Sequence, residues 1–245
     1  MSVTTTGRHE RRASGRGNAA RTAVHGLGEL LITAGLVLLL FVAYQLVWTN
    51  FEAHRAQDSV ADQIRDSWQR PPGQAGGDDG TAKGPRAADF GQGFAFLRIP
   101  RLGEDYAVPV LEGVGLDVLA RGVGHYPETA MPGRVGNFAV AGHRATHGEP
   151  FAYLDRVRPG DVVVAETRRT WFTYVVDRTR IVQPTDTWVI DPVPGKPAAE
   201  PTERLLTLTT CNPRWASTER LIVFAHLQSR RPKSDGPPPE LVREV

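Results

Sequence analysis

The feature that most limits the fold of this chain is an uncharged, apolar stretch over residues 30–48 (LLITAGLVLLLFVAYQLVW). Roughly 19 helical residues span about 28 Å, which is close to the hydrocarbon thickness of a bilayer. A cleaved signal peptide usually has a shorter apolar segment, and Tyr44 and Trp48 stand at the far end, where interfacial aromatic residues are common. The stretch therefore predicts an uncleaved transmembrane signal anchor over residues 24–49, in preference to a buried core helix.

Arginine is concentrated before this stretch. The first 23 residues carry five arginines against one acid, Glu10, although the net charge of the whole chain is only +2. By the positive-inside rule, residues 1–23 are predicted to be a cytoplasmic basic arm, and everything after residue 49 is predicted to be extracellular. The nearly balanced overall charge gives no reason to expect nucleic acid as a partner.

Beyond the anchor, the composition changes twice. Residues 50–89 are predicted to be an extracellular linker, with a short helical pattern over 51–68 and a stretch rich in Pro, Gly and Asp over 69–88. From Phe90 onwards, short apolar runs alternate with turn signals, which is typical of a mainly β sandwich or barrel. About eight strands are predicted, at residues 94–99, 106–111, 137–141, 161–165, 171–176, 178–183, 205–210 and 221–227. The polar, proline-rich residues 229–245 are predicted to be a disordered tail.

The only cysteine, Cys211, ends the apolar, β-branched run LLTLTT. Asn212-Pro213 stops the strand predicted there, and a second strand begins at Arg220. A thiol at one strand end and a guanidinium at the next strand start are thus joined by a short loop, which can hold both over one site. An exported protein with one cysteine has no internal disulfide, so this thiol either pairs with another chain or is chemically reactive.

A thiol acts as a nucleophile in its thiolate form, which a neighbouring histidine or cation favours. His143 is the best candidate in the strand-rich region, because it follows a predicted strand and a glycine that permits a sharp bend. His226 is predicted to lie on a strand face, and His125 and His147 are predicted to lie in loops. His143 and His147 have a spacing that suits half a metal site on a helix, but no third ligand follows and Gly148 disfavours a helix there, so a zinc site is disfavoured.

Arg220 is a candidate for stabilising the negative charge that develops on an oxygen when a thiolate attacks a carbonyl group. Many arginines at strand starts are simply solvated, and Arg214 is nearer to the cysteine in sequence. Arg214 lies in the loop, however, where its geometry is less fixed. The residues alone leave both arginines open for this role.

Taken together, TLTTC at a strand end, Arg220 at the next strand start and His143 after an earlier strand resemble the sortases, the membrane-anchored cysteine transpeptidases of Gram-positive bacteria. The resemblance covers about residues 90–228 and the anchor, and GHYPETAMPGRVGNFAVAGHR is most similar to the class E sortases of actinobacteria. It implies a closed eight-stranded β-barrel with short helices. It also implies that Cys211 is the nucleophile, that His143 is the general acid and base, and that Arg220 holds the substrate and stabilises the oxyanion.

The resemblance further implies cleavage of an L-P-x-T-G-like sorting signal between Thr and Gly, with L-A-x-T-G expected for class E. The amine of a peptidoglycan precursor, lipid II, would then displace the thioester on the cysteine, which attaches signal-bearing surface proteins to the cell wall. Tyr126, Thr209 and Thr210 are predicted to line the substrate groove. No cofactor is implied, and no acidic cluster suggests a calcium site, so metal-independent activity is predicted.

Two other interpretations of the cysteine remain open at this point. L,D-transpeptidases also use a cysteine on a β fold at the cell wall, but they carry an arginine two residues after it, where this chain has Pro213, and a Ser-His-Gly segment that is absent here. The other interpretation is a non-catalytic, membrane-anchored β-domain whose thiol is packed in the core. A small alkylating reagent distinguishes the two kinds of thiol, because a packed thiol resists it in the folded protein and a catalytic one reacts.

Overall fold

The computed structural model describes residues 14–69 and 91–242. Helix α1 extends over Ser14–Gln69, and the chain divides into two compact units, Met1–Trp48 and Thr49–Val245. In the first unit, Ala23–Val42 is a candidate membrane span, because its length and its mean hydropathy of 2.0 suit a bilayer and none of it is buried. The start of the predicted cytoplasmic arm (1–13), the predicted linker from residue 70 onwards and the last three residues lie outside the described residues.

The second unit is built on eight strands within its described residues. They are β1 (Gly93–Arg98), β2 (Ala107–Glu112), β3 (Val123–His125), β4 (Gly136–Ala141), β5 (Val162–Glu166), β6 (Thr170–Val182), β7 (Arg204–Asn212) and β8 (Glu219–Pro232), with a short helix α2 (Leu116–Leu119) between β2 and β3. The strands close into a barrel in the order β1-β2-β3-β4-β7-β8-β6-β5. The mainly β, closed eight-stranded barrel predicted from the sequence is therefore confirmed.

The direction of the strands decides which ends meet. Strands β4 and β7 are parallel neighbours, so both end at the same rim of the barrel, whereas β8 is antiparallel to β7 and begins at that rim. The interior of the barrel is apolar and closely packed, and its fully buried side chains include Phe138, Leu208 and Val223. This rigid core fixes the rim at which the chemically interesting residues lie.

Two strands differ from the sequence expectation. The runs 171–176 and 178–183 form one long strand, β6, because a register shift between Val176 and Arg178 accommodates Asp177 as a bulge and pairing with β8 continues on both sides. Strand β3 was not predicted, since three residues are too few to show an alternating pattern.

The segment after residue 228 is also different. Residues 229–232 extend β8 and pair with the start of β6, where Arg231 lies opposite Trp171. Two short 3-10 helices follow, over Lys233–Asp235 and Pro239–Leu241. The structure therefore corrects the expectation of a disordered tail for residues 229–242, because backbone pairing stabilises a segment whose composition is polar.

The part of α1 after residue 48 packs against the barrel. It shares one apolar cluster with β1, β2 and α2, formed by Val60, Ala61, Ile64, Phe96, Leu111 and Val118. Trp68 adds an edge-to-face contact with Phe96, with ring centroids 5.5 Å apart. The first part of the segment expected to be a linker is thus a helix docked on the barrel.

Candidate active site

The ends of β7 and β8 bring the thiol and the guanidinium together. The antiparallel register places Cys211 directly opposite Arg220. Opposite residues of an antiparallel pair point to the same face of the sheet, with Cβ atoms about 5 Å apart. Cys211 is half-buried and in no disulfide, and the next pair is closed by a hydrogen bond from Asn212 Nδ2 to Glu219 Oε2 at 2.8 Å.

His143 reaches the same rim from β4. Just before it, the amide of Gly142 donates to the carbonyl oxygen of Thr209 at 3.1 Å, and the hydroxyl of Thr210 donates to the carbonyl oxygen of Gly142 at 2.8 Å. These two bonds continue the parallel pairing of β4 with β7 beyond the last paired residues. His143 therefore lies just after the end of β4, beside the end of β7 that carries Cys211.

Arg144, directly after the histidine, makes the second connection to β7. Its Nη1 donates to the carbonyl oxygen of Cys211 at 3.2 Å and to Asn212 Oδ1 at 2.7 Å. Asp155 lies 3.3 Å from Nη2, and the Arg144 side chain is only 7% exposed. The sequence reasoning missed this residue; its only signal was a charge placed directly after the candidate base.

The threonines of TLTTC hold β7 against β4. The hydroxyl of Thr207 donates to Asn137 Oδ1 at 2.8 Å, and that of Thr209 donates to the carbonyl oxygen of Val140 at 3.3 Å. Thr209 and Thr210 are 4% and 3% exposed. Both hydroxyls donate to carbonyl oxygens at the end of β4, so they help to hold the strand of the cysteine beside the strand that precedes the histidine.

Tyr126, predicted to line the groove, lies half-buried just after β3. Its hydroxyl is 3.0 Å from Thr209 Oγ1, which links it to the strand of the cysteine. Thr129 Oγ1 donates to the carbonyl oxygen of Tyr126 at 2.7 Å and lies 2.9 Å from His125 Nε2. His125 is fully buried on β3, with Nδ1 2.6 Å from Glu112 Oε2, so its predicted place in a loop was wrong. A buried polar network therefore supports the turn that carries Tyr126.

The ionisation of His143 is set by its surroundings. Burial lowers the pKa of His143, and His147 lowers it further, because a second positive charge nearby disfavours protonation. The two rings stack with centroids 4.8 Å apart. No group of three or more His, Cys, Asp and Glu side chains suited to a metal ion occurs among residues 14–69 and 91–242. A negatively charged partner near His143 would favour its protonated form.

The loop after His143 is held in an unusual backbone conformation. His147, Gly148 and Glu149 have φ values of 54°, 73° and 46°, three consecutive left-handed residues. For a residue with a side chain this conformation costs about 1 kcal/mol or more, so it persists only where surrounding contacts impose it. The amide of Phe151 closes the loop by donating to the carbonyl oxygen of His143 at 2.9 Å.

The two candidate arginines have different surroundings. Arg220 is half-buried, and its Nη1 donates to the carbonyl oxygens of Ser217 at 3.0 Å and Glu219 at 2.8 Å. Arg214 forms an ion pair with Glu149, which lies in the loop that follows His143. Because Arg214 is engaged there and Arg220 is fixed on a strand opposite the cysteine, Arg220 is the better candidate for contact with a substrate.

Comparison with known proteins bears directly on this site. The family model described as the sortase domain matches residues 97–228. Sortase E1 of Streptomyces coelicolor is 43% identical over 91% of this chain, which spans 62% of the length of that relative. Sortase E2 of the same organism is 38% identical over 98% of this chain and 100% of its own length.

Solved structures agree with these relationships. The structure of sortase E from Streptomyces avermitilis is 51% identical with a TM-score of 0.58, and covers 62% of this chain and 99% of its own. The crystal structure of sortase E1 from Streptomyces coelicolor with a tripeptide in the active site is 43% identical with a TM-score of 0.57, and covers 62% of this chain and 98% of its own. With over half of the chain matched by the family model and the barrel fold in common, this chain belongs to class E of the sortase family, whose members are cysteine transpeptidases.

Proposed function

We propose that this protein is a membrane-anchored transpeptidase that cleaves an L-P-x-T-G-like sorting signal, most readily L-A-x-T-G, between Thr and Gly. The acyl group passes through a thioester on Cys211 to the amine of a peptidoglycan precursor, lipid II. The substrates are surface proteins that carry the signal. The basic segment before the anchor stays in the cytoplasm, and the barrel works outside the cell, as the charge asymmetry of the sequence favours.

The observation that carries the proposal is the meeting of three chain segments at one rim. Cys211 and Arg220 are opposite residues on β7 and β8, and His143 follows β4, the parallel neighbour of β7. A nucleophile, an acid–base group and a cation at one rigid rim are the groups that acyl transfer through a cysteine requires.

The first half of the reaction forms the thioester. The thiolate sulfur of Cys211 attacks the carbonyl carbon of the signal's threonine, and the guanidinium of Arg220 stabilises the resulting oxyanion. His143, as an imidazolium, gives its proton to the departing glycine nitrogen when the C–N bond breaks. Because burial and His147 lower the pKa of His143, its imidazolium releases this proton more readily than an ordinary histidine would.

The second half transfers the acyl group. The incoming amine attacks the thioester carbonyl, and neutral His143 accepts the proton that this nitrogen loses. The tetrahedral intermediate then expels the Cys211 thiolate, which restores the starting pair. In this scheme Tyr126 contacts the second residue of the signal. Its hydroxyl is 3.0 Å from Thr209 Oγ1, and the hydroxyl of Thr210 donates to the carbonyl oxygen of Gly142, just before the histidine.

The test uses the full chain in detergent micelles with L-A-x-T-G and L-P-x-T-G peptides and an amine acceptor. Mass spectrometry is expected to detect a thioester on Cys211 and the transfer product, and Cys211→Ala is expected to abolish both. Arg220→Lys should lower kcat about 100-fold or more, the cost of losing one well-placed oxyanion donor, whereas Arg214→Lys should change it less than about threefold. A folded protein whose thiol alkylates readily but which neither peptide acylates would refute the proposed substrate.

A further inference from the structure

The helix segment that docks on the barrel has one polar residue on its buried face. The buried positions among residues 51–69 are Ala53, Gln57, Val60, Ala61 and Ile64, which recur at the three- and four-residue spacing of one helix face. Four of these five residues are apolar, as expected for a helix face that packs against the barrel. Gln57, at 9% exposure, is the exception, and such a residue is expected to have a specific hydrogen-bond partner.

Two glycines of the barrel unit make room for this helix. A Cβ atom on Gly93 would lie 2.6 Å from Ile64 Cδ1, and one on Gly148 would lie 2.3 Å from Gln57 Nε2. Real Cβ contacts are not this short, so a side chain at either position would require the end of the Ile64 or Gln57 side chain to shift. Gly93 opens β1, whereas Gly148 lies in the loop that follows His143.

Gln57 contacts that loop at the residue that stacks on His143. Its Nε2 donates to the carbonyl oxygen of His147 at 3.3 Å. His147 is the first of the three left-handed residues, and its ring stacks on the ring of His143. A displacement of the His147 backbone would therefore move the ring that defines one side of the catalytic imidazole.

We propose that the buried face of residues 51–69 of α1 is a working part of the catalytic unit, with Gln57 as a positioning residue that orients His143 through His147. This inference deepens the proposed function and rests on the assignment of His143 as the acid–base group. The segment lies before residue 97, where the sortase domain match begins, so the family resemblance does not assign it this role.

The test compares Gln57→Met with Gln63→Met in the full chain in micelles. Methionine keeps the length and the packing of glutamine but removes the amide donor. Gln63 is an exposed residue of the same helix, and its Nε2 donates to Ser59 within that helix, so it is a matched control. Loss of the Gln57 bond is expected to lower kcat for acylation about two- to tenfold with KM nearly unchanged, whereas the control variant should match the wild type.

A second readout does not depend on activity. The ring 13C–1H resonance of His143, in protein labelled at histidine and assigned with His143→Gln, is expected to shift in Gln57→Met and not in Gln63→Met. Unchanged kcat and an unchanged resonance in Gln57→Met would overturn the inference. If Gln57→Met fails to fold, Gln57→Leu, which also lacks the donor and carries no charge, gives the same two outcomes.

The two readouts separate this inference from the proposed function. If the wild-type protein acylates no peptide, the proposed substrate fails, and the resonance of His143 alone decides whether Gln57 orients the ring. If the wild type is active and only the resonance moves, with kcat unchanged, the ring orientation responds to Gln57 but catalysis does not, and the positioning role is refuted.

Discussion

Replacement of Arg144 by methionine tests the connection between the loop of the histidine and the strand of the cysteine. Arg144 donates to the Cys211 carbonyl oxygen and to Asn212 Oδ1, and it is almost fully buried. A hydrogen bond to a charged group contributes about 1.5–3 kcal/mol. The ion pair with Asp155 adds less than about 1 kcal/mol, since that carboxylate is 57% exposed.

The expected loss for Arg144→Met is smaller than the sum of these bonds, because methionine fills much of the same volume and Arg144 Nε has no hydrogen-bond partner in the structure. We expect the free energy of unfolding to fall by about 2–4 kcal/mol. Catalysis should be slowed as well. A displacement of reacting groups by about 1 Å can lower the rate about 100-fold, so kcat is expected to fall about 10- to 100-fold with little change in KM.

Chemical unfolding and steady-state acylation measure these two quantities. Asp155→Asn is the matched control, because it removes only the exposed ion pair, and it should cost less than about 1 kcal/mol. Arg144→Lys retains the charge but not the two-pronged geometry, so its kcat should lie between those of the wild type and Arg144→Met. If Arg144→Met is as mild as Asp155→Asn in both assays, the connection does not organise the site and the reasoning is refuted.

Three further outcomes are expected. Tyr126→Phe removes the hydroxyl that contacts Thr209, so the KM for an L-A-x-T-G peptide should rise about two- to tenfold; an unchanged KM in steady-state assays would argue against a role in binding. His147→Gln removes a positive charge that disfavours protonation of His143, so NMR titration should find the pKa of His143 raised towards its ordinary value, and a lowered pKa would contradict the assigned cause. Ile64→Ala opens a cavity in the seam between helix and barrel, so the free energy of unfolding should fall by about 2–5 kcal/mol, and a loss below about 1 kcal/mol in calorimetry would mean that the helix does not dock.

The strand content of this fold could be predicted from local sequence patterns, whereas the closure of the barrel was expected only from the resemblance to the sortases. Alternating apolar runs bounded by Gly and Pro located seven of the strands, with β6 divided in two at its bulge. The short β3 carries no readable pattern, because its burial comes from pairing with β2 and β4 and not from its own composition. The extension of β8 likewise depends on pairing with β6, which no local signal in its polar sequence reveals.

The candidate site also combines features that local sequence signals predict with features that depend on tertiary contacts. Cys211 and Arg220 were predictable as neighbours, because a strand end and the next strand start joined by a short loop must lie close together. The contacts of Arg144, and the docking of Gln57 on the loop of His147, join segments that are far apart in the chain. Composition and spacing describe each segment separately, so contacts of this kind follow only from the tertiary structure.

The TLTTC motif can now be given a physical meaning that extends beyond its cysteine. A β-hairpin alone is enough to pair Cys211 with Arg220. His143, however, follows β4, and β4 must be parallel to β7 for His143 to lie at the same rim of the barrel as Cys211. Parallel pairs are slightly less stable per residue than antiparallel ones. The hydroxyls of Thr207, Thr209 and Thr210 add three hydrogen bonds across this one interface, to the Asn137 side chain and to two carbonyl oxygens at the end of β4. The threonines therefore stabilise the pairing of β7 with β4, and the motif fixes the position of His143, the proposed base, as well as supplying Cys211, the proposed nucleophile.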